Sequence, residues 1–321
     1  MTILITGAAG FIGFHLCKKL IEKKMNVIAI DNINNYYSQK LKRDRINLLL
    51  KNKNKKFLNF KKIDIKDKNK LSNFLKNKKI DVIVHLAAQA GIRYSLKNPR
   101  DYLNNNIIGL FNIMEIARNK KLKKLIYASS SSIYGNSSKT PFSEDFDTSS
   151  PLQFYGSTKK AGEVFLKTYN YLYGFPVICL RFFTVYGPWG RPDMAIFSFT
   201  ERIINNEKIN IFNNGKMLRD FTYIDDVVDG IIKSIKLKKN GFKIYNIGNQ
   251  KPVKLMTIIK IIEKNLRKKA RINFTNYKKT EMSKTHSSNK RALKDIKYKP
   301  KIEIEKGIKK FIDWYKNYYG K

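Results

Sequence analysis

Thr2-Ile3-Leu4-Ile5-Thr6-Gly7-Ala8-Ala9-Gly10-Phe11-Ile12-Gly13 opens the chain, and its reading decides the fold. An apolar, β-type run leads into three glycines spaced three apart. A helical pattern follows through Lys24, and a second apolar run, residues 26–30, ends on Asp31. The order is strand, tight turn, helix, strand, acid. Glycines let backbone approach a pyrophosphate, a helix N-terminus offers unbonded N–H groups, and a carboxylate after the second strand holds a ribose hydroxyl. A glycine pattern alone is weak evidence; at the first βα turn, with the acid following, it is specific. It predicts a dinucleotide site that includes Gly7, Gly10, Phe11, Ile12, Gly13 and Asp31. Asp31 favours NAD, because its charge repels a 2′-phosphate; Lys40 and Lys42, further on, leave that choice open.

The alternation continues. Residues 57–65 read as a third strand ending in Asp64-Ile65, where the acid either meets an adenine or caps the next helix. Residues 81–86 read as a buried parallel strand. It runs into Ala87-Ala88-Gln89-Ala90-Gly91, small residues that let backbone lie against a cofactor. Residues 99–121 read as one long helix, and 125–128 as a fifth strand delivering Ser129 to a serine cluster. Residues 153–173 form a further helix and 176–186 another buried strand. Regular alternation predicts a parallel, doubly wound sheet. After the loop Gly187-Pro188-Trp189-Gly190-Arg191-Pro192-Asp193 it breaks down. The expected class is therefore α/β: a Rossmann sheet over residues 1–187, with later short returns to it, and a smaller mixed α/β substrate-binding lobe mainly over 188–321. There the pattern gives a strand over 219–224, a helix capped by Asp225 and running to 236, a strand over 244–248, and helices over 255–268 and 302–318.

Composition excludes some classes. The 321 residues are 42% hydrophobic, enough for a real core. No apolar run reaches the ~20 residues that span a bilayer. The chain opens directly on a strand, so no secretory leader is expected. Cys17 and Cys179 lie in apolar patterns without disulfide or metal spacing, which suits a reducing cytoplasm. His15, His85 and His286 are scattered and read as structural. The net charge of +40 invites a nucleic-acid reading. Lysine is spread over the whole chain, however, beside abundant asparagine and isoleucine, and no localised patch or module stands out. The charge reads as compositional habit, with no specific nucleic acid and no membrane as partner.

The chemistry centres on Tyr155-Gly156-Ser157-Thr158-Lys159. Residues four apart share a helix face. A phenol titrates near ~10, so a working phenolate at neutral pH needs ~4 kcal/mol of help. A nearby ammonium supplies help of that sign. Tyr155 is therefore expected to move a proton, with Lys159 tuning it. With 18 tyrosines present, such pairs also arise by chance, and Tyr36 with Lys40 makes one. Tyr155 is distinguished by context, since it follows the serine-rich strand end, whereas Tyr36 sits in a polar stretch with nothing catalytic beside it.

Together these residues resemble the extended short-chain dehydrogenase/reductase superfamily over nearly the whole chain. The glycine turn, Asp31, His85-Leu86-Ala87-Ala88, residues 129–135, the Tyr155/Lys159 pair and Arg219-Asp220-Phe221 carry the likeness. Within it the chain looks most like the UDP-glucuronate 4-epimerase family, through Ala90-Gly91-Ile92-Arg93-Tyr94-Ser95, Arg181-Phe182-Phe183-Thr184-Val185-Tyr186, the Pro188–Ala195 stretch and Gly215-Lys216-Met217. The resemblance implies NAD contacts at the glycine turn, Asp31, Asn32, Asp64, Ile65, Leu86, Ala87, Ala88, Gln89, Asn106, Ser129, Tyr155, Lys159 and Phe182. It implies UDP-sugar contacts at Arg93, Ser130, Ser132, Thr184, Arg191, Met194, Ala195, Phe212 and Arg219, no metal, and a homodimer formed through the helices near 99–121 and 153–173. The arginines read equally as solvated surface charges.

The resemblance also implies a mechanism. Tyr155 takes the proton from the sugar O4, assisted by Ser130, while hydride passes to NAD; the 4-keto sugar turns over and is reduced on its other face. Related dehydratases and decarboxylases carry a glutamate where Ser132 stands, and dehydration needs that carboxylate. A uronate oxidised at C4 is prone to lose CO₂, and Ser132 and Thr184 are expected to hold its carboxylate against this. Near residue 288 the family usually has an acid, and here it is Ser288. A UDP-galactose-type epimerase, a UDP-glucuronate decarboxylase and a non-enzymatic nucleotide or anion binder are the competing readings.

Overall fold

The computed structural model describes residues 1–137, 139–276 and 282–321. Among the described residues twelve strands form: β1 (Thr2–Thr6), β2 (Asn26–Asp31), β3 (Leu58–Lys62), β4 (Val82–His85), β5 (Lys124–Ser130), β6 (Val177–Phe182), β7 (Thr184–Tyr186), β8 (Lys208–Phe212), β9 (Leu218–Tyr223), β10 (Phe242–Ile247), β11 (Pro252–Lys254) and β12 (Arg271–Thr275). Seven of them make one sheet in the order β10-β6-β5-β4-β1-β2-β3. Every pairing in it is parallel, so the doubly wound sheet expected from the alternation forms. The winding reverses between β1 and β4, and in such sheets ligands bind outside the carboxyl ends of the strands at that switch. Its last strand, β10, comes from far along the chain and lies at the edge beyond β6.

Both faces are covered. Ile3 and Ile5 point into one apolar layer with Phe14, Leu16 and Leu20 of the helix Phe11–Glu22 and Val227 and Ile231 of the helix Ile224–Lys236. Leu4, between them, points into the other layer, against Leu71, Ile113 and Leu166. Opposite directions for successive side chains are what a strand dictates, and each buried aliphatic side chain contributes ~1.5–3 kcal/mol. Cys17 and Cys179 are buried and free.

The remaining strands build two small sheets, β11-β9-β7 and β12-β8. Three expectations change here. The run 176–186 is two strands: β6 stays in the large sheet, while β7 leaves it to pair with β9. Phe183 marks the break, because its side chain goes into a separate cluster with Ile133, Tyr134, Phe142 and Met282. The helix expected over 99–121 is interrupted: Pro99–Tyr102 and Gly109–Asn119 flank a widened π-turn stretch, Leu103–Ile108. Asp225 is not the helix cap. Tyr223 takes that place, and Asp225 and Asp226 lie in the first turn, where their charge favours the positive helix end.

Candidate active site

A cleft of about 820 Å³ opens at the switch point. Gly7, Gly10, Phe11, Ile12 and Gly13 form its floor. Gly7 adopts φ +74, and a Cβ on Gly13 would sit 2.1 Å from the Gly7 carbonyl oxygen, so the turn requires glycine at both positions. The helix behind it begins at Phe11 with no side-chain cap, leaving its first N–H groups to face the cleft. Asp31, at the end of β2, accepts from Ala9 N at 3.0 Å and Ile33 N at 2.7 Å. Burial raises its pKa, opposed by those bonds and by the charges of Lys42 and Arg45. Asn32, Ile65, Leu86, Ala87, Ala88, Gln89, Ser129 and Phe182 line the same side. The Gln89 side-chain nitrogen is buried without a partner beside this lining, an unsatisfied donor. Glycine cradle, helix end, acid and orphan donor together fit a dinucleotide.

Two expected cofactor residues stand off the cleft. Asp64 accepts from Asn32 Nδ2 at 3.1 Å and Lys66 N at 2.9 Å. Asn106, turned inward by the widened helix stretch, accepts from Gln89 N at 2.8 Å and donates to Gln89 O at 3.0 Å. Both act on the cleft wall: Asn106 clamps the Gln89 backbone as a neighbouring strand would.

Tyr155 and Lys159 share the helix Phe154–Tyr173 and line the cleft with Ser130 and Ser132. Ser130 Oγ donates to Ser132 Oγ at 3.1 Å. Lys159 Nζ donates to Ala128 O at 2.8 Å and lies 5.9 Å from the centre of the Tyr155 ring. Burial dominates both groups. It raises Tyr155, against a hydrogen bond with Ser130 and the charge of Arg191, and it lowers Lys159 to about 7. His85 and His15 are structural as expected: Thr6 Oγ1 holds the first at 2.7 Å, and the second bonds Pro188 O at 2.9 Å.

The opposite wall carries Thr184, Arg191, Met194, Ala195, Phe212, Arg219 and Arg93. Arg93 lies 4.5 Å over the Phe212 ring. Arg219 donates to Leu218 O at 3.0 Å. Arg191 grips Asp193 through Nε at 3.0 Å and again through Nη2. Burial tends to raise Asp193, but the Arg191 charge and bond leave it below the usual carboxylate range. Tyr36, dismissed on sequence, donates to Asp193 Oδ2 at 3.1 Å and lines the cleft. A Cβ on Gly91 would meet its hydroxyl at 2.2 Å. Residues 36 and 193 are too far apart in the chain for any local pattern to join them. In the sequence Asp193 is legible only as part of the loop.

Among the described residues no group of His, Cys, Asp or Glu is arranged to hold a metal, and no helix is long and apolar enough to cross a membrane.

Fold and cleft together define a dinucleotide-binding α/β enzyme scaffold. The NAD-dependent epimerase/dehydratase family model matches residues 3–248, and the chain belongs to that family. It is 44% identical to Protein CapI of Staphylococcus aureus over the full length of both. It is 41% identical to UDP-glucuronate 4-epimerase 1 of Arabidopsis thaliana, over 100% of this chain and 78% of that one. The crystal structure of UDP-glucuronic acid 4-epimerase from Bacillus cereus with UDP-glucuronic acid and NAD superposes with a TM-score of 0.93 at 36% identity, covering 99% and 100% of the two chains.

Proposed function

We propose that this chain is an NAD-dependent UDP-glucuronate 4-epimerase, interconverting UDP-glucuronate and UDP-galacturonate. One observation carries the reading: the serine pair Ser130–Ser132, 3.1 Å apart, stands beside Tyr155 where a dehydrating enzyme needs a carboxylate. NAD, when bound, supplies a reversible hydride acceptor. The protein residues do the rest. Tyr155 and Ser130 hold the sugar O4, and Tyr155 takes and returns its proton. Lys159, whose Nζ lies 5.9 Å from the centre of the Tyr155 ring, would hold the nicotinamide ribose, and the negative charge of a deprotonated Tyr155 draws it towards its ammonium form. Thr184 and Ser132 hold the uronate carboxylate out of line for loss of CO₂. Arg191, Arg219 and Arg93 offer forked donors to the diphosphate and uracil. Most of the sugar wall comes from residues 188–321. Asp64 and Asn106 serve by fixing Asn32 and Gln89.

The relatives named for UDP-glucuronate 4-epimerisation support this substrate. NMR of purified protein with UDP-glucuronate should show UDP-galacturonate. A UDP-pentose product, or turnover confined to UDP-glucose and UDP-galactose, overturns it.

The same reading includes a homodimer and a reducing cytoplasm, where the product would feed surface polysaccharide. Phe111, Val164, Phe165 and Leu172 are exposed on the helices Gly109–Asn119 and Phe154–Tyr173, an apolar face of the kind a second copy covers. Light scattering should give a dimer, and Val164→Asp a monomer; a parent that runs as a monomer rejects it.

A further inference from the structure

Arg45 lies in the helix Gln39–Leu50, and its side chain is completely buried. Among the described residues no carboxylate pairs with it. Its guanidinium instead bonds four neutral oxygens. Nη1 donates to Ala9 O at 2.8 Å and to the Tyr37 hydroxyl at 2.7 Å. Nη2 donates to Trp189 O at 2.6 Å and Gly190 O at 3.1 Å. Ala9 belongs to the glycine turn beneath the dinucleotide. Trp189 and Gly190 immediately precede Arg191, on the opposite wall. One planar fork therefore ties the cofactor floor to the substrate loop.

The loop needs such a tie. Trp189 has φ +60, a backbone state that a bulky side chain adopts only when its surroundings impose it. Its ring is wedged between Phe14 at 5.6 Å and Trp314 at 5.3 Å. Arg45 holds the two carbonyls that follow that strained link, Trp189 O and Gly190 O, and a buried cation bonded only to neutral oxygens is costly unless its geometry is kept.

We infer that Arg45 is a positioning residue for epimerisation: it sets the Arg191 loop at a fixed distance from the glycine turn, so that nucleotide sugar and cofactor are held in register. This rests on the proposed function and adds to it a residue that touches neither ligand. A guanidinium can reach both loops at once, whereas an ammonium is a point donor and reaches one. Misplacing bound groups by a fraction of an ångström weakens binding and alignment without removing a reacting group.

The test compares two buried cations bonded to main-chain carbonyls. Lys124 donates to Ser234 O at 3.0 Å and Ile235 O at 3.4 Å, at the end of the helix Ile224–Lys236 and outside the cleft lining. Arg45→Lys and Lys124→Met are measured for melting temperature, UDP affinity by calorimetry, NAD retained per chain after gel filtration, and kcat and KM. Arg45→Lys is expected to weaken UDP binding and raise KM about tenfold, with kcat falling by a smaller factor. Lys124→Met should lose stability with UDP affinity and KM unchanged. The inference is overturned if Arg45→Lys moves stability but leaves UDP affinity and KM as Lys124→Met does. It is equally overturned if kcat alone collapses. Should Arg45→Lys fail to fold, Arg45→Gln, which buries no charge and keeps an amide donor, takes its place with the same readouts. If neither variant folds, Arg45 belongs to the framework and the inference falls. Turnover of the parent protein judges the proposed function separately.

Discussion

Glu163 and Arg181 face each other inside the protein, with Arg181 Nε donating to Oε1 at 2.9 Å and Nη2 to Oε2 at 2.8 Å, and with side-chain exposures of 3% and 2%. Ser129 Oγ donates to the same Glu163 oxygen at 2.6 Å. The pair pins the helix bearing Tyr155 to β6 and to the serine end of β5. Two planar groups meeting edge to edge fix rotation as well as distance.

Removing one charge from such a pair leaves the other buried and unbalanced. Glu163→Gln is expected to cost about 3–5 kcal/mol in chemical denaturation. A loss below about 1 kcal/mol means the pair is solvated in solution.

Lys159 carries a stability penalty with a defined pH window. Its pKa is lowered from 10.5 to about 7 by burial. Between those values the unfolded chain binds more protons than the folded one, so stability rises with pH through the window. The penalty is full below about pH 7 and is gone above about 10.5. Lys159→Met should therefore melt higher than the parent at about pH 6, with the advantage fading towards pH 10, where the lost bond to Ala128 O costs ~1 kcal/mol. The same variant should be inactive. A melting difference that does not vary with pH contradicts the burial argument.

Tyr155→Phe removes the proton-transfer oxygen and little else. Turnover should fall about a hundred- to ten-thousandfold, with folding and NAD content kept. Activity within tenfold of the parent would move the acid/base role to another group.

Thr184, at the start of β7, shares the cleft with Ser132. A hydrogen bond to a charged group is worth ~1.5–3 kcal/mol, so Thr184→Ala should raise the share of CO₂ and UDP-pentose about tenfold or more. Unchanged product purity removes Thr184 from carboxylate control.

What the sequence shows and what it hides follow from distance along the chain. The glycine turn, Asp31, and the Tyr155/Lys159 pair are local patterns, each set by one strand, one turn or one helix, and the parallel sheet follows from their alternation. Tyr36, Asp193 and Arg45 act through partners more than a hundred residues away, which no periodicity records. Asn106 sits in a stretch whose polar run Asn104-Asn105-Asn106 looks like ordinary helix surface, yet the π-turn rotates it into the wall. The split at Phe183 depends on Met282 and Phe142 supplying a second apolar pocket. The strands β8 and β12 pair residues 63 apart in the chain; each alternates polar and apolar residues, Lys208-Ile209-Asn210-Ile211 and Arg271-Ile272-Asn273-Phe274, but nothing local records which partner it takes.

The edge position of β10 has a consequence for synthesis. The nucleotide-binding layer cannot be completed until the ribosome has passed Ile247 and that segment has emerged. Until then β6 presents an open, apolar border of unpaired amides, the kind of template that recruits other chains. A nascent chain of this protein is thus exposed to misassociation late in translation, and splitting the gene near residue 187 should yield a sticky amino-terminal fragment that regains solubility when the missing half is co-expressed.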